Sequence, residues 1–211
     1  MPATGVSAVV LNVTVTEPVS AGYLTAWPHA DPRPLASNLN FAAGQTVANL
    51  VMVKVGPTGK VSFANGGGAL HVIADVSGWF GVSGETTGAR YHPVAPARVL
   101  DTRVAIGALQ LPVLPLGTID VQVTGRGGVP AAGVTATVLN VTVVDPLGLG
   151  YVTVWPTGAV RPLASNINFV FGQTTPNLVM GKLGTGGKLS IFNGGGTANL
   201  VADVAGWYGA G

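Results

Sequence analysis

The sequence predicts an all-β protein made of two tandem antiparallel units, sandwich-like or barrel-like, related by internal duplication. Three observations carry this expectation. Residues 2–81 align with 130–209 at a constant offset of 128, without a gap and at roughly 60% identity, which marks a tandem repeat. Apolar residues alternate with polar ones and never recur at helical spacing. Short candidate strands follow one another at about 8–12 residues with Gly, Pro and Asn between them, the rhythm of sandwiches and barrels.

The first element is the stretch from Gly5 to Pro28, repeated from Gly133 to Pro156. Val9, Leu11, Val13 and Val15 alternate with Val10, Asn12, Thr14 and Thr16, and Leu24 and Ala26 alternate with Tyr23, Thr25 and Trp27. A period of two over two arms reads as a β-hairpin with one face on a core. Closing it around Glu17 to Gly22 pairs Thr16 with Tyr23, Thr14 with Thr25 and Asn12 with Trp27. Next, RPLASNLNF carries turn chemistry at Pro34 and Asn38. ANLVMVKV and KVSFAN then read as a second hairpin across Gly56 to Gly59. The triple glycine Gly66-Gly67-Gly68 ends that arm, and HVIADVSGWF supplies a last strand before Gly81.

These boundaries give a first repeat over 1–81, a linker over 82–89 and a second, complete repeat over 90–211. The segment from Val82 to Val129 holds SGETTG, RYHPVAPARVLDTR and GTIDVQVTGRGGVP, and nothing before Met1 matches it. The first repeat is therefore expected to lack opening strands that the second possesses, leaving an open edge of the kind proteins normally cover, to be closed by its own linker, by a neighbouring chain or by sequence preceding residue 1.

Composition narrows the function classes. Of 211 residues 47% are apolar and only 9% charged, against about 25% charged in typical soluble domains, so the chain is expected to bury a real core. Ten basic and eight acidic residues are thinly spread, and with no Lys/Arg cluster to track a phosphate backbone no nucleic-acid partner is expected. The absence of cysteine excludes disulfides and thiolate chemistry. No apolar run reaches the length of a membrane span, and Met1-Pro2 leads into a strand pattern without a signal peptide, as in a piece processed from something longer.

The order ARVLDTR, then the shared VLNVTV, then SNLNF or SNINF followed by GQT, then ADVSGWF or ADVAGWY resembles repeats that stand in tandem in large secreted proteins of actinobacteria and some other bacteria. The resemblance covers essentially the whole chain. It implies a secreted or cell-surface location more than any chemistry, since such proteins are mostly uncharacterised. The first repeat departs from the pattern by having no ARVLDTR before it.

The hairpin's second face gives the candidate ligand site: Asn12, Thr14, Tyr23, Thr25 and Trp27, with Asn140, Thr142, Tyr151, Thr153 and Trp155 in the second repeat. Rings beside amides and hydroxyls suit a sugar, which offers an apolar C–H face and hydroxyls together. The expected function is a non-catalytic module binding glycan or cell-wall polymer, two sites giving avidity. The competing expectation for this face is plain packing, under a loop or against the sister domain, with the rings as core. An alternative function is a structural, adhesin or fibre-forming repeat that self-associates through its open edge.

Catalysis is not expected. His29, Asp31 and His71 become Thr157, Ala159 and Asn199 in the second copy, so no His–carboxylate pair is present twice, as a hydrolase in each repeat would need. A third possibility is a single hydrolase site using His92, Asp101 and a hydroxyl from Ser83 or Thr102. Asp101, flanked by Arg98 and Arg103, reads better as a structural carboxylate, with Asp203 as a further partner for the arginines. Asp75 and Asp203 are expected to be partly buried and to fix the register of the last strands. The Asn-rich SNLNF and SNINF stretches have too few carboxylates for a tight calcium site and read as turn locks, so no metal or cofactor is expected.

Overall fold

The computed structural model describes residues 1–82 and 88–210. The chain falls into two compact units, Met1–Gly88 and Ala89–Gly211. Ser83 and most of the expected 82–89 linker lie outside the described residues.

Unit 1 contains β1 (Val6–Thr16), β2 (Gly22–Pro28), β3 (Leu39–Phe41), β4 (Val47–Lys54), β5 (Val61–Asn65) and β6 (His71–Gly81). They form two antiparallel three-stranded sheets in the orders β4–β1–β6 and β3–β2–β5. Val9, Leu11, Val13 and Val15 of one sheet meet Leu24, Leu39 and Phe41 of the other in a common core. The unit is thus a β-sandwich, and among the described residues no sheet closes into a barrel.

Both expected hairpins are overturned. β1 pairs with β4 and β6, with Val13 opposite Asn49 and Ala74, whereas β2 pairs with β3 and β5. β4 and β5 likewise belong to different sheets. Alternation reports which side of a strand is apolar, not which strand lies beside it. Two arms with apolar faces can fold as neighbours in one sheet or face each other across a core, and these do the second. The link is too long for the two-residue turns that hairpins favour. Chain leaves β1 through Glu17 at φ 53°, a left-handed conformation that re-aims the backbone. The arch is held by Val19 N–H donating to Ala69 O at 2.9 Å and Gly44 N–H to Pro18 O at 2.7 Å.

Unit 2 begins with two strands, β7 (Arg90–Asp101) and β8 (Thr118–Gln122), that have no equivalent among the described residues of unit 1. The duplicated set follows as β9 (Val134–Val144), β10 (Gly150–Pro156), β11 (Ile167–Phe169), β12 (Thr175–Lys182), β13 (Lys188–Asn193) and β14 (Asn199–Gly209). The sheets are four-stranded, β12–β9–β14–β7 and β11–β10–β13–β8. The extra strands each add themselves to one sheet, β7 against β14 and β8 against β13. Their side chains Val99, Leu100 and Val121 enter the core with Val123 and with Val113, which bridges to Ala198. Fully burying each such side chain is worth about 1.5–3 kcal/mol.

Candidate functional site

The ten residues expected to form a sugar platform do not share one face. Asn12 and Thr14 lie on β1, Tyr23, Thr25 and Trp27 on β2 in the opposite sheet. Asn12, Thr14 and Thr25 are buried, as are Thr153 and Trp155, while Asn140 and Thr142 are half-buried on β9. The cover on β2 is the connection from residue 29 to 38. Thr25 Oγ1 donates to Ala36 O at 2.6 Å, Trp27 Nε1 donates to Asp31 O at 3.0 Å, and Asn38 Oδ1 accepts from Ala26 N–H at 2.7 Å. Unit 2 repeats each bond: Thr153 to Ala164 O, Trp155 to Ala159 O, and Val154 N–H to Asn166 Oδ1. Asn49 and Asn177 add Nδ2 bonds to Asn38 O and Asn166 O. The shared Thr, Trp and Asn thus pin a long connection to its sheet, and pinning consumes the donors and acceptors a sugar would need.

The tyrosines stay at the rim. A Cβ on Gly66 would fall 2.3 Å from the Tyr23 ring, and one on Gly194 would fall 2.4 Å from the Tyr151 ring. The glycine run therefore lets the backbone lie directly on the rings. Arg33 Nη2 donates to Tyr23 Oη at 3.2 Å beside an open hollow of about 620 Å³ lined by Tyr23, Arg33, Pro34, Leu35, Ser37 and Asn40. In unit 2 Arg161 lies 3.6 Å from the centre of the Phe192 ring instead. Aligned with Phe192 is Ala64, which offers no ring.

A hydrolase site on His92 and Asp101 does not assemble. Both lie on β7, nine residues apart, a separation of about 30 Å along a strand. His92 stacks on Trp207 with ring centres 4.0 Å apart. Thr102 Oγ1 donates to Asn199 Oδ1 and accepts from Leu200 N–H.

Asp101 is the hub of an ionic cluster instead. Arg103 donates to it from Nε at 2.9 Å, Nη2 at 2.8 Å and its backbone N–H at 3.0 Å, and Arg98 Nη1 reaches it at 2.9 Å. Arg98 also grips Asp203 with two bonds, 2.9 and 3.1 Å. The hydrogen bonds from Arg103 hold the Asp101 carboxyl well below the usual carboxylate range, against the opposing cost of burial. This cluster fastens β7 to β14.

Unit 1 keeps the acceptor half of that arrangement without the strand. Asp75, Gly78 and Trp79 align with Asp203, Gly206 and Trp207. Among the described residues no strand pairs with the outer edge of β6 and no ion pair involves Asp75. Burial pushes the Asp75 carboxyl up. The consequence shows along the strand: Val72 is 40% and Val76 56% exposed, whereas Leu200 and Val204 at the aligned positions are at 0%. On the second sheet, Phe63 of β5 is 37% exposed where Ile191 of β13 is at 0%. Two neighbouring edges of the same sandwich are open, and the core side chains between them reach the surface.

The strands present in one repeat only signalled an open edge, but not which side chains, Val72, Val76 and Phe63, it leaves exposed. Among the described residues no group of acidic and imidazole side chains is placed to hold a metal, and no helix is long and apolar enough to cross a membrane. No protein family and no curated protein matches this chain.

Proposed function

We propose that the chain is a non-catalytic structural or adhesive repeat module, secreted or at the cell surface, in which unit 1 accepts an extended strand from a partner. The supporting observation is the contrast between β6 and β14: the same residue pattern is sealed by β7 in unit 2 and bare in unit 1. A bare edge offers a row of unpaired N–H and C=O groups to an incoming strand, and the exposed valines offer apolar contact. Amide hydrogen exchange on the full chain tests the reading. A strand acceptor shows fast exchange along the free edge of β6, slow exchange along β14, and slowing of β6 when a donor is added. Equal protection of β6 and β14 in a monomeric chain would sink it.

A second reading is favoured by the hollow beside Tyr23, where a ring and the Arg33 donors face solvent together. In this reading the module binds glycan or wall polymer through unit 1. A glycan array comparing the parent with Tyr23→Ala and Arg33→Ala decides it. Binding lost in both variants supports the hollow, and a parent that binds nothing removes it.

A further inference from the structure

We infer that the occupant of the open edge is an extended segment of the β7 type from outside residues 1–211, running antiparallel to β6 and placing an arginine on Asp75 and a flat ring on Trp79. The inference rests on unit 1 being a strand acceptor and adds the identity of the donor. Unit 2 supplies the template. There β14 aligns Asp203 with Arg98, Val204 with Ala97, Trp207 with His92 and Tyr208 with Tyr91. Subtracting the 128-residue offset sets the same donor pattern against Asp75, Val76, Trp79 and Phe80.

Four features of unit 1 suit that donor. Asp75 is a half-buried carboxylate to which a bidentate arginine would bring the charge partner Asp203 has in Arg98. Trp79 is 42% exposed, while Trp207 is covered by the His92 ring. Gly78 sits where Gly206 makes room for a donor tyrosine, since a Cβ on Gly206 would fall 2.3 Å from Tyr91 Oη. Val72 and Val76, both exposed, align with Leu200 and Val204, which share a core with Val99 and Leu100 in unit 2.

A second copy of this chain is a poor source of the donor. Among the described residues there are two acceptor edges, β6 and β14, and one β7. Lending β7 to a neighbour reopens the lender's own unit 2, uncovering Leu200 and Val204 and leaving Asp203 without Arg98, for no net gain in paired edges. The chemistry therefore points to a segment from outside residues 1–211 with the order ring, arginine, apolar pair and aspartate in the β7 spacing.

The test adds a synthetic peptide with the sequence of residues 90–103, RYHPVAPARVLDTR, to the full chain. The expected result is saturable binding, a change in tryptophan emission, and slowed amide exchange on 73–81 with β14 unaffected. A peptide carrying Arg98→Ala, or a chain carrying Asp75→Asn, is expected to bind about tenfold more weakly. Pairing a chain with Asp75→Arg against a peptide with Arg98→Asp is expected to restore binding, which a purely structural role for Asp75 would not do. Equal affinity for the parent and Arg98→Ala peptides, with β6 still protected, overturns the arginine recognition and leaves strand acceptance standing. No protection of β6 by any peptide overturns both. Protection changes confined to β14, or a chain already paired edge to edge with its own copies and closed to the peptide, overturn the donor assignment.

Discussion

Val76 and Val204 occupy aligned positions on the last strands of the two units, with aspartate before each and a Gly-Trp pair soon after. Val76 is more than half exposed, while Val204 is sealed in the core. The difference comes from neighbours: β7 adds its backbone ladder, its apolar side chains and the Arg98 fork to one strand and not the other. The comparison teaches that a strand's burial belongs to its sheet as much as to its sequence. The duplicated pattern is sufficient to build both sandwiches, and the additional strands decide whether a sandwich has a finished side.

That comparison can be broken most forcefully in the core. Leu200→Ala should cost about 3 kcal/mol by opening a cavity in unit 2, whereas the aligned Val72→Ala should cost under about 1 kcal/mol because its site is already open. Urea unfolding followed by amide exchange assigned to each unit separates the two effects. A similar loss at both positions would mean that β6 is covered.

Asp101→Asn comes next, at about 2 kcal/mol, because it leaves Arg98 and Arg103 without a shared anion and unlocks β7. Acid should do the same. Asp101 titrates below its unfolded value of about 3.9, so its stabilisation is present above that value and fades as pH falls through the native value. Asp75 has the opposite sign. Its native value is raised by burial, so unit 1 is relieved as that carboxylate takes up a proton on acidification. Exchange measured at pH 3 and pH 7 should therefore loosen β7 and β14 at the lower pH without loosening β6. Equal loosening of both would sink the assignment.

The paired locks sharpen the comparison from the other side. Asn38→Ala and Asn166→Ala should each cost about 1.5 kcal/mol, and equally, because each asparagine accepts from a strand N–H and none of the bonds involves β7 or β8. Calorimetry showing one of them far more costly would reveal a difference between the copies beyond the missing strands. The smallest effect is expected at the aligned aspartates. Asp203→Asn should lose up to about 1 kcal/mol with its part-exposed Arg98 partner, while Asp75→Asn should be neutral or slightly stabilising in the absence of a donor.

Duplication, the all-β class and the apolar side of β1 were legible because they follow from local pattern. Val9, Leu11, Val13 and Val15 are core, as their alternation requires. The Arg98–Asp101–Arg103 group with Asp203 was legible too, since few charges exist in the chain and buried ones seek each other. Strand neighbours were not. The same alternation serves a hairpin and an arch, and only the geometry of the link at Glu17 distinguishes them. A loop over Thr25 and Trp27 was one of the expectations, but its fastening was not legible, because the bonds that seal them run to the backbone oxygens of Ala36 and Asp31, whose identity as acceptors no side chain announces.

The Arg98–Asp203 fork joins residues 105 positions apart, and this distance governs how unit 2 comes into being. The entropic cost of closing so long a loop grows only logarithmically with length, so the finished fold hardly suffers. The search for it does, because strands that alternate between sheets have almost no local partners to form first. Such topologies fold on the order of milliseconds to seconds, far behind helical bundles of similar stability. During that interval β7 is an unclaimed strand, and β14, the last strand of unit 2 in chain order, is the one that claims it. Refolding of unit 2 should accordingly be limited by the docking of β14, with the Arg98 fork among the last bonds to close.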